Sequence, residues 1–277
     1  MPEIPRASSE VEPLLSAVGI EAGYRDRLVL RGVDLDILPG TVTAIIGPNG
    51  CGKSTLLKVL ARLLEPSAGR VLVGGQLANG IPRREFAKRV AILPQNPIAP
   101  EGVTVVDLVA RGREPHRTWY QQWTAGGEEV VLEAMNRTGT ATLATRMLDE
   151  LSGGQRQRAW IAMTIAQESG VVLLDEPTSH LDPAHVVDVL EMVRDLAAST
   201  GRAFVLVLHD LGAATRYADR LVVLSDGNIV ASGTAAEAIS APLLADVFGL
   251  DARVFADPED GVPTIAPRLR PRRAGLV

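Results

Sequence analysis

Residues 47–55 read Gly47-Pro48-Asn49-Gly50-Cys51-Gly52-Lys53-Ser54-Thr55, and few short segments leave a chain so little choice of fold. The pattern is G-x-x-x-x-G-K-S, set between segments of opposite periodicity. Before it, residues 42–46 form an apolar, β-branched run of the kind that makes a buried strand. After it, Leu56, Leu57, Leu60 and Leu64 recur at helical spacing within residues 54–64. Strand, glycine-rich turn and helix are the context in which this pattern binds phosphate. The glycines let successive backbone N–H groups point inward at phosphate oxygens, and the helix N-terminus adds partial positive charge. Lys53 can then reach the β- and γ-phosphates, and Ser54 offers a hydroxyl to Mg²⁺.

The bulk composition narrows the surroundings of such a loop. The chain has 277 residues, enough for one large domain or two small lobes. Its net charge of −5 gives no electrostatic pull toward nucleic acid. Arginine supplies nearly all the positive charge, since Lys53, Lys58 and Lys88 are the only lysines. The single cysteine, Cys51, excludes an internal disulfide. Residues 1–12 lack the apolar core of a secretion signal. No apolar run reaches the 18 residues of a spanning helix, so a role at a membrane requires a partner.

Along the chain, residues 1–13 read as a disordered leader. Residues 14–22 and 28–37 read as antiparallel strands, with a loop at 23–27 carrying Tyr24. A hairpin is expected about Gly74-Gly75. A short helix over 82–89 follows, then a strand over 90–93. From Asn96 to about Gln167 strand patterns disappear. Helices are expected from Thr104, which can act as a cap, over 128–138 and over 156–168, with residues 115–127 irregular. Trp119, Tyr120 and Trp123 in that stretch read as packing residues of the helical lobe, the alternative being contact with a partner. Strands return at 171–174, 203–208 and 221–224, alternating with helices at 183–198 and 211–219, which argues for a parallel sheet. Asp226-Gly227 closes a further hairpin. A main unit over 14–256 is therefore expected, with a helical lobe inserted at about 96–167 and a tail over 257–277 that ends disordered.

Two further segments carry chemistry. Residues 171–176 form an apolar strand ending in Asp175 and Glu176. An acid ending such a strand beside a phosphate loop holds Mg²⁺, usually through water. Its neighbour points elsewhere and can take a proton from attacking water. Leu151-Ser152-Gly153-Gly154-Gln155 precedes a helix, and the Ser152 hydroxyl with the glycine amides reads as a second anion-binding nest. One nucleotide needs one phosphate loop, so this nest is expected to serve a nucleotide held by another copy of the chain.

The order of these motifs resembles the ATP-binding cassette (ABC) ATPases. The phosphate loop comes first, then Gln95 after a strand, then Leu151 to Gln155. Asp175-Glu176, Ser179-His180-Leu181-Asp182 and His209 follow, the resemblance spanning roughly residues 14–232. It implies an α/β fold of the P-loop NTPase class. Its parts are a RecA-like parallel-sheet core, an antiparallel β subdomain and an inserted helical subdomain. It implies ATP and Mg²⁺ as cofactors. Residue by residue, Tyr24 looks like the aromatic that stacks on adenine. Gln95 looks like the glutamine that touches Mg²⁺ or water and senses the transmembrane partner. Asp182 looks like an acid at the dimer contact, and His209 like the histidine on the γ-phosphate. His116, His180 and His185 have no such counterpart and read as surface or packing residues. The implied mechanism is in-line attack by water, with charge stabilised by Lys53, Mg²⁺ and the Ser152 turn. The implied partners are integral-membrane permease subunits, a second copy of the chain in an ATP sandwich and, indirectly, an extracytoplasmic substrate-binding protein. The implied place is the cytoplasmic face of the membrane.

Two longer stretches narrow the branch. Ala110-Arg111-Gly112-Arg113-Glu114-Pro115-His116 and residues 151–175 are similar to ATPase subunits of ferric-siderophore importers, a branch shared with vitamin B12 and haem importers. Residues 256–267 look like the tail of the same branch. The expected function is thus the ATPase of an iron–siderophore importer, the alternative being another cargo such as cobalamin, haem, a divalent metal or a drug. A soluble cassette acting on DNA or the ribosome would show tandem cassettes or a long coiled coil. A switch without turnover would have lost Glu176 or His209.

Overall fold

The computed structural model describes residues 11–25, 27–117, 126–179 and 181–268. Most of the expected leader, the aromatic group Trp119, Tyr120 and Trp123, His180, and Arg270, Arg272 and Arg273 of the tail lie outside the described residues.

The chain opens with β1 (Leu15–Tyr24) and β2 (Arg27–Ile37), paired antiparallel with Leu15 opposite Ile37. β1 runs to Tyr24, so this aromatic ends a strand, opposite Arg27, where the sequence suggested a loop. β3 (Val42–Ile46) is buried at every position. The phosphate loop leads from it into α1 (Lys53–Leu60). That helix stops before the expected Leu64, because Arg62 turns left-handed (φ 57°) and the amides of Leu63 and Leu64 close back on the Lys58 carbonyl. β4 (Ala68–Val73) and β5 (Gln76–Leu77) form the hairpin read about Gly74-Gly75. Together these strands make a four-stranded antiparallel sheet in the order β2-β1-β4-β5.

After α2 (Arg83–Ala87) and β6 (Val90–Leu93), three helices follow: α3 (Val105–Arg111), α4 (Gly127–Arg137) and α5 (Gly153–Ala166). Thr104 caps α3 by accepting the Asp107 amide. Between β6 and the next strand, the only strand-like pairing among the described residues is a bridge between Thr104 and Met147. The alternation then resumes: β7 (Val171–Asp175), α6 (Pro183–Thr200), β8 (Ala203–Val207), α7 (Leu211–Tyr217), β9 (Arg220–Ser225) and β10 (Asn228–Gly233). The second sheet has the order β10-β9-β3-β8-β7-β6. All its neighbours run parallel except β10, which returns from β9 through Asp226-Gly227.

The parallel strands are buried on both faces, and alternate residues enter different cores. Ala44, Ile46, Val172, Leu174, Phe204 and Leu206 join the core that holds α3, α5 and α6. Ile45, Leu173, Val205 and Val207 join a second core with α1 and the antiparallel sheet. Leu56, Leu57 and Leu60 of α1 are fully buried there, each worth about 1.5–3 kcal/mol of transfer free energy. This burial fixes α1, and with it the loop at its N-terminus.

α8 (Ala235–Ala238), α9 (Ala241–Phe248) and a terminal hairpin of β11 (Ala252–Ala256) and β12 (Pro263–Pro267) complete the described chain. The sequence offered no sign of β12. Val254 and Ile265 pack against the first core, while Arg216 of α7 pairs with Asp260 at 2.8 Å and Asp257 at 3.6 Å. The prolines of β12 sit at its two ends, where a two-stranded ribbon tolerates them.

Candidate active site

The loop between β3 and α1 is closed by tight backbone contacts. A Cβ on Gly47 would lie 2.1 Å from the Leu224 carbonyl oxygen and 2.8 Å from Cys51 Sγ, so only glycine fits there. Gly52 caps α1 with φ 115°. The Cys51 carbonyl accepts the Gly227 amide, and the Gly227 carbonyl accepts the Arg31 amide, tying the loop to both sheets. Burial pushes the Cys51 thiol pKa up, against the opposing charge of Lys53. Lys53 is itself buried, and its Nζ donates to the carbonyls of Gly47 at 2.8 Å and Pro48 at 3.0 Å. Its charge is thus held on two weak acceptors that phosphate oxygens can replace. Asn49 and Gly50 are exposed at the rim and Thr55 is buried.

The other groups come from the carboxyl ends of neighbouring parallel strands, where open α/β sheets bind ligands. Asp175 ends β7 and is 6% exposed, and it accepts the Ser54 hydroxyl at 3.0 Å. Burial raises its pKa, the Ser54 bond opposes this, and the charge of Glu176 adds to the rise. Glu176 adopts φ 53°, left-handed for a residue with a side chain, and this turn sends the two carboxylates in different directions. The Glu176 carboxylate meets His209 Nε2 at 2.5 Å, Gln95 Nε2 at 2.5 Å and Ser179 Oγ at 3.0 Å. Burial pulls its pKa upward, but hydrogen bonds from His209, Ser179 and Gln95 outweigh that and leave it lowered. A carboxylate so held is ionised and aimed, as a general base must be.

Lys53, Ser54, Glu176 and His209 share a cleft of about 440 Å³ with Tyr24 and Arg27. Tyr24 is 46% exposed, with Lys58 Nζ 5.8 Å from its ring centroid. Sequence reasoning missed Arg27 and the bond from Ser179. The register placing Arg27 opposite Tyr24 was hidden by reading 23–27 as a loop. A larger groove of about 1050 Å³, lined by Arg62, Leu63, Leu77, Arg83, Phe86 and Ile92 among others, contains none of the phosphate-loop residues.

The second expected anion site looks different from its sequence. α5 begins at Gly153, not Arg156, so Gly153 and Gly154 lie inside its first helical turn and form no separate approach loop. Ser152 Oγ accepts the Gln155 amide at 3.3 Å and Gln155 Oε1 accepts the Ser152 amide at 3.2 Å, a reciprocal capping box. Glycine's poor helix propensity is overridden here by the cap and tertiary packing. Asp182 caps α6, accepting the His185 amide, and its carboxyl is held low by His185. Neither the Ser152 turn nor Asp182 lines the phosphate-loop cleft. Arg113, within one of the two stretches that narrowed the branch, is 7% exposed and bonds the Ala166 carbonyl and Glu168 across α5's end.

No group of three or more metal-ligating side chains occurs among the described residues. The Ser54 hydroxyl and Asp175 carboxylate, 3.0 Å apart, still fit Mg²⁺. That ion takes one or two protein oxygens and completes its shell with phosphates and water.

Residues 30–179 match the ABC transporter family model. The chain is 46% identical over 257 residues to the achromobactin transport ATP-binding protein CbrD of Dickeya dadantii, covering 92% of this chain and 96% of that one. It is 45% identical over 245 residues to the ferric enterobactin transport ATP-binding protein FepC of Escherichia coli, covering 88% and 90%. Among solved structures it resembles a dimeric ATP-binding cassette, MJ0796, in a post-hydrolysis state with ADP and Pi. That likeness has a TM-score of 0.69 and 25% identity over 79% of this chain and 98% of that one.

Proposed function

The chain belongs to the ABC transporter family, and on that premise we propose that it is the ATP-hydrolysing subunit of an importer for iron–siderophore complexes. The observation that carries the enzymatic reading is the Glu176 carboxylate, held by Gln95, Ser179 and His209 at the mouth of the phosphate-loop cleft. The cargo reading is supported by the relatives named as achromobactin and ferric enterobactin transport ATP-binding proteins.

Tyr24 stacks on adenine, and the amides of residues 47–55 surround the phosphates. Lys53 leaves the Gly47 and Pro48 carbonyls to bind β- and γ-phosphate oxygens. Ser54 and Asp175 would hold Mg²⁺, with Gln95 at its edge, and the ion, when bound, neutralises phosphate charge. Glu176 orients a water and takes its proton as the water oxygen bonds to the γ-phosphorus. The bond to the ADP oxygen breaks in line and ADP leaves with the electron pair. His209 turns from Glu176 to the γ-phosphate. Ser152, Gly153, Gly154, Gln155 and Asp182, outside the cleft of their own chain, face the nucleotide of a second copy. No described helix is long and apolar enough to cross a membrane. On the family reading, attachment at the cytoplasmic face runs through permease subunits, with a substrate-binding protein acting on the far side.

Uptake of radiolabelled ferric siderophores by source cells whose only copy is Lys53→Ala tests the reading. Loss of that uptake while other nutrients still enter is expected. Unchanged uptake of every siderophore the cells use would overturn the cargo, leaving cobalamin or haem as the next substrates to measure.

A further inference from the structure

His185 touches both segments that the chain turns away from its own cleft. A Cβ added to Gly154 would lie 2.7 Å from His185 Cδ2 and 3.0 Å from Cγ, so the imidazole fills the notch left by that glycine. On its other side, His185 Nδ1 lies 2.7 Å from Asp182 Oδ2, while the His185 amide donates to Asp182 Oδ1 at 3.0 Å. Gly154 belongs to the first turn of α5, within the helical segment between β6 and β7. Asp182 and His185 open α6, which packs on the parallel sheet. Further along the same two helices, Arg158 and Asp188 approach to 3.8 Å, so the helix starts are linked twice. His185 does not line the phosphate-loop cleft.

We propose that His185 is a positioning residue that sets the spacing between the Ser152–Gln155 turn and Asp182. The proposal rests on the reading that these segments meet the nucleotide of a second copy. Two surfaces on different helices must then reach one nucleotide together. A planar ring wedged between them, tethered to one and in van der Waals contact with the other, holds their separation where a flexible or shorter side chain leaves a gap. Misplacement by about 1 Å at a reacting site can cost about 10²-fold in rate.

The test uses the full chain. Glu176→Gln, expected to hold ATP with turnover slowed about 10²–10⁴-fold, is titrated with Mg-ATP and its dimer fraction followed by size-exclusion chromatography with light scattering. The same titration is run with His185→Ala added, and with His185→Gln, which retains a polar side chain and guards against loss of fold. The ATP midpoint for pairing is expected to rise at least about fivefold for both, since about 1 kcal/mol of coupling corresponds to that factor. In the otherwise unaltered chain, His185→Ala is expected to lower kcat while nucleotide affinity of the dilute monomer stays within about twofold, a separation that general destabilisation would not produce. If Glu176→Gln alone fails to pair, the two-copy reading falls and the His185 proposal with it. If it pairs, and His185→Ala and His185→Gln leave midpoint and kcat unchanged, the His185 proposal alone is overturned.

Discussion

Asp175→Asn should stabilise the nucleotide-free chain while destroying its function. The Asp175 carboxylate is 6% exposed and, among the described residues, has one side-chain hydrogen-bond donor, Ser54. It lies beside the charge of Glu176, and its pKa is raised, first of all by burial. Asparagine keeps the oxygen that accepts from Ser54 and removes the buried charge. The gain for relieving an under-bonded buried group is about 1–2 kcal/mol. For a domain of this size that is a rise of about 2–8 °C in melting temperature. The pH dependence has a definite sign. A raised carboxyl pKa means that, between the unfolded and folded values, the native state keeps a proton the unfolded chain has released, so stability falls as pH rises through that window. The advantage of Asn over Asp should therefore grow as pH rises from the acid range. Thermal melts across pH, with and without Mg-ATP, measure both parts, and Mg-ATP should raise the melting temperature of the variant less than that of the parent. An Asn variant that melts lower than the parent at neutral pH without nucleotide, or a gap equal at both ends of the pH range, would refute the argument.

Glu176→Gln should still bind ATP but lose turnover by about 10²–10⁴-fold, or about 2.7–5.4 kcal/mol of barrier. Steady-state phosphate release within tenfold of the parent would remove Glu176 from the role of base. Cys51 is 5% exposed with its thiol pKa pushed up by burial, so a bulky maleimide should label it slowly at neutral pH, faster as pH rises, and still more slowly with ATP bound. Labelling that leaves ATPase activity intact would contradict the placement of the loop. Gly47→Ala drives a Cβ to 2.1 Å from the Leu224 carbonyl oxygen, and should cost at least about 2 kcal/mol in urea unfolding and weaken ATP binding at least about tenfold; an unaltered unfolding midpoint would sink this.

The phosphate loop and the strand ends were legible because each is specified locally. β3, β7 and β8 are apolar runs with both faces buried, so their limits fall where charge or glycine begins. Asp175 and Glu176 stand at the end of β7 and His209 just past β8, while Lys53 and Ser54 open α1 after the glycine-rich loop. What stayed hidden depends on tertiary contact. Gly153 and Gly154 disfavour a helix by propensity, and only the capping box and the His185 ring make them one. β12 carries proline at both ends and has no clear alternation, so only its pairing with β11 and the packing of half-buried Ile265 on the first core reveal it. Nothing local marks Arg113 as buried; its bonds to the Ala166 carbonyl and Glu168 come only from the fold. His185 looked like a packing residue in the sequence, and the packing is real, but its location is what gives it interest.

The turn at Asp226-Gly227 bonds to the phosphate loop on one side and to the antiparallel sheet on the other. Its amide proton on Gly227 is held by the phosphate-loop carbonyl of Cys51, and its carbonyl by Arg31 of the antiparallel sheet. Exchange of that proton with solvent deuterium requires the loop to let go, so its rate counts loop openings. Nucleotide that stiffens the loop slows the exchange at a residue outside the nucleotide cleft. Peptides spanning this turn then give a label-free record of occupancy in the intact chain.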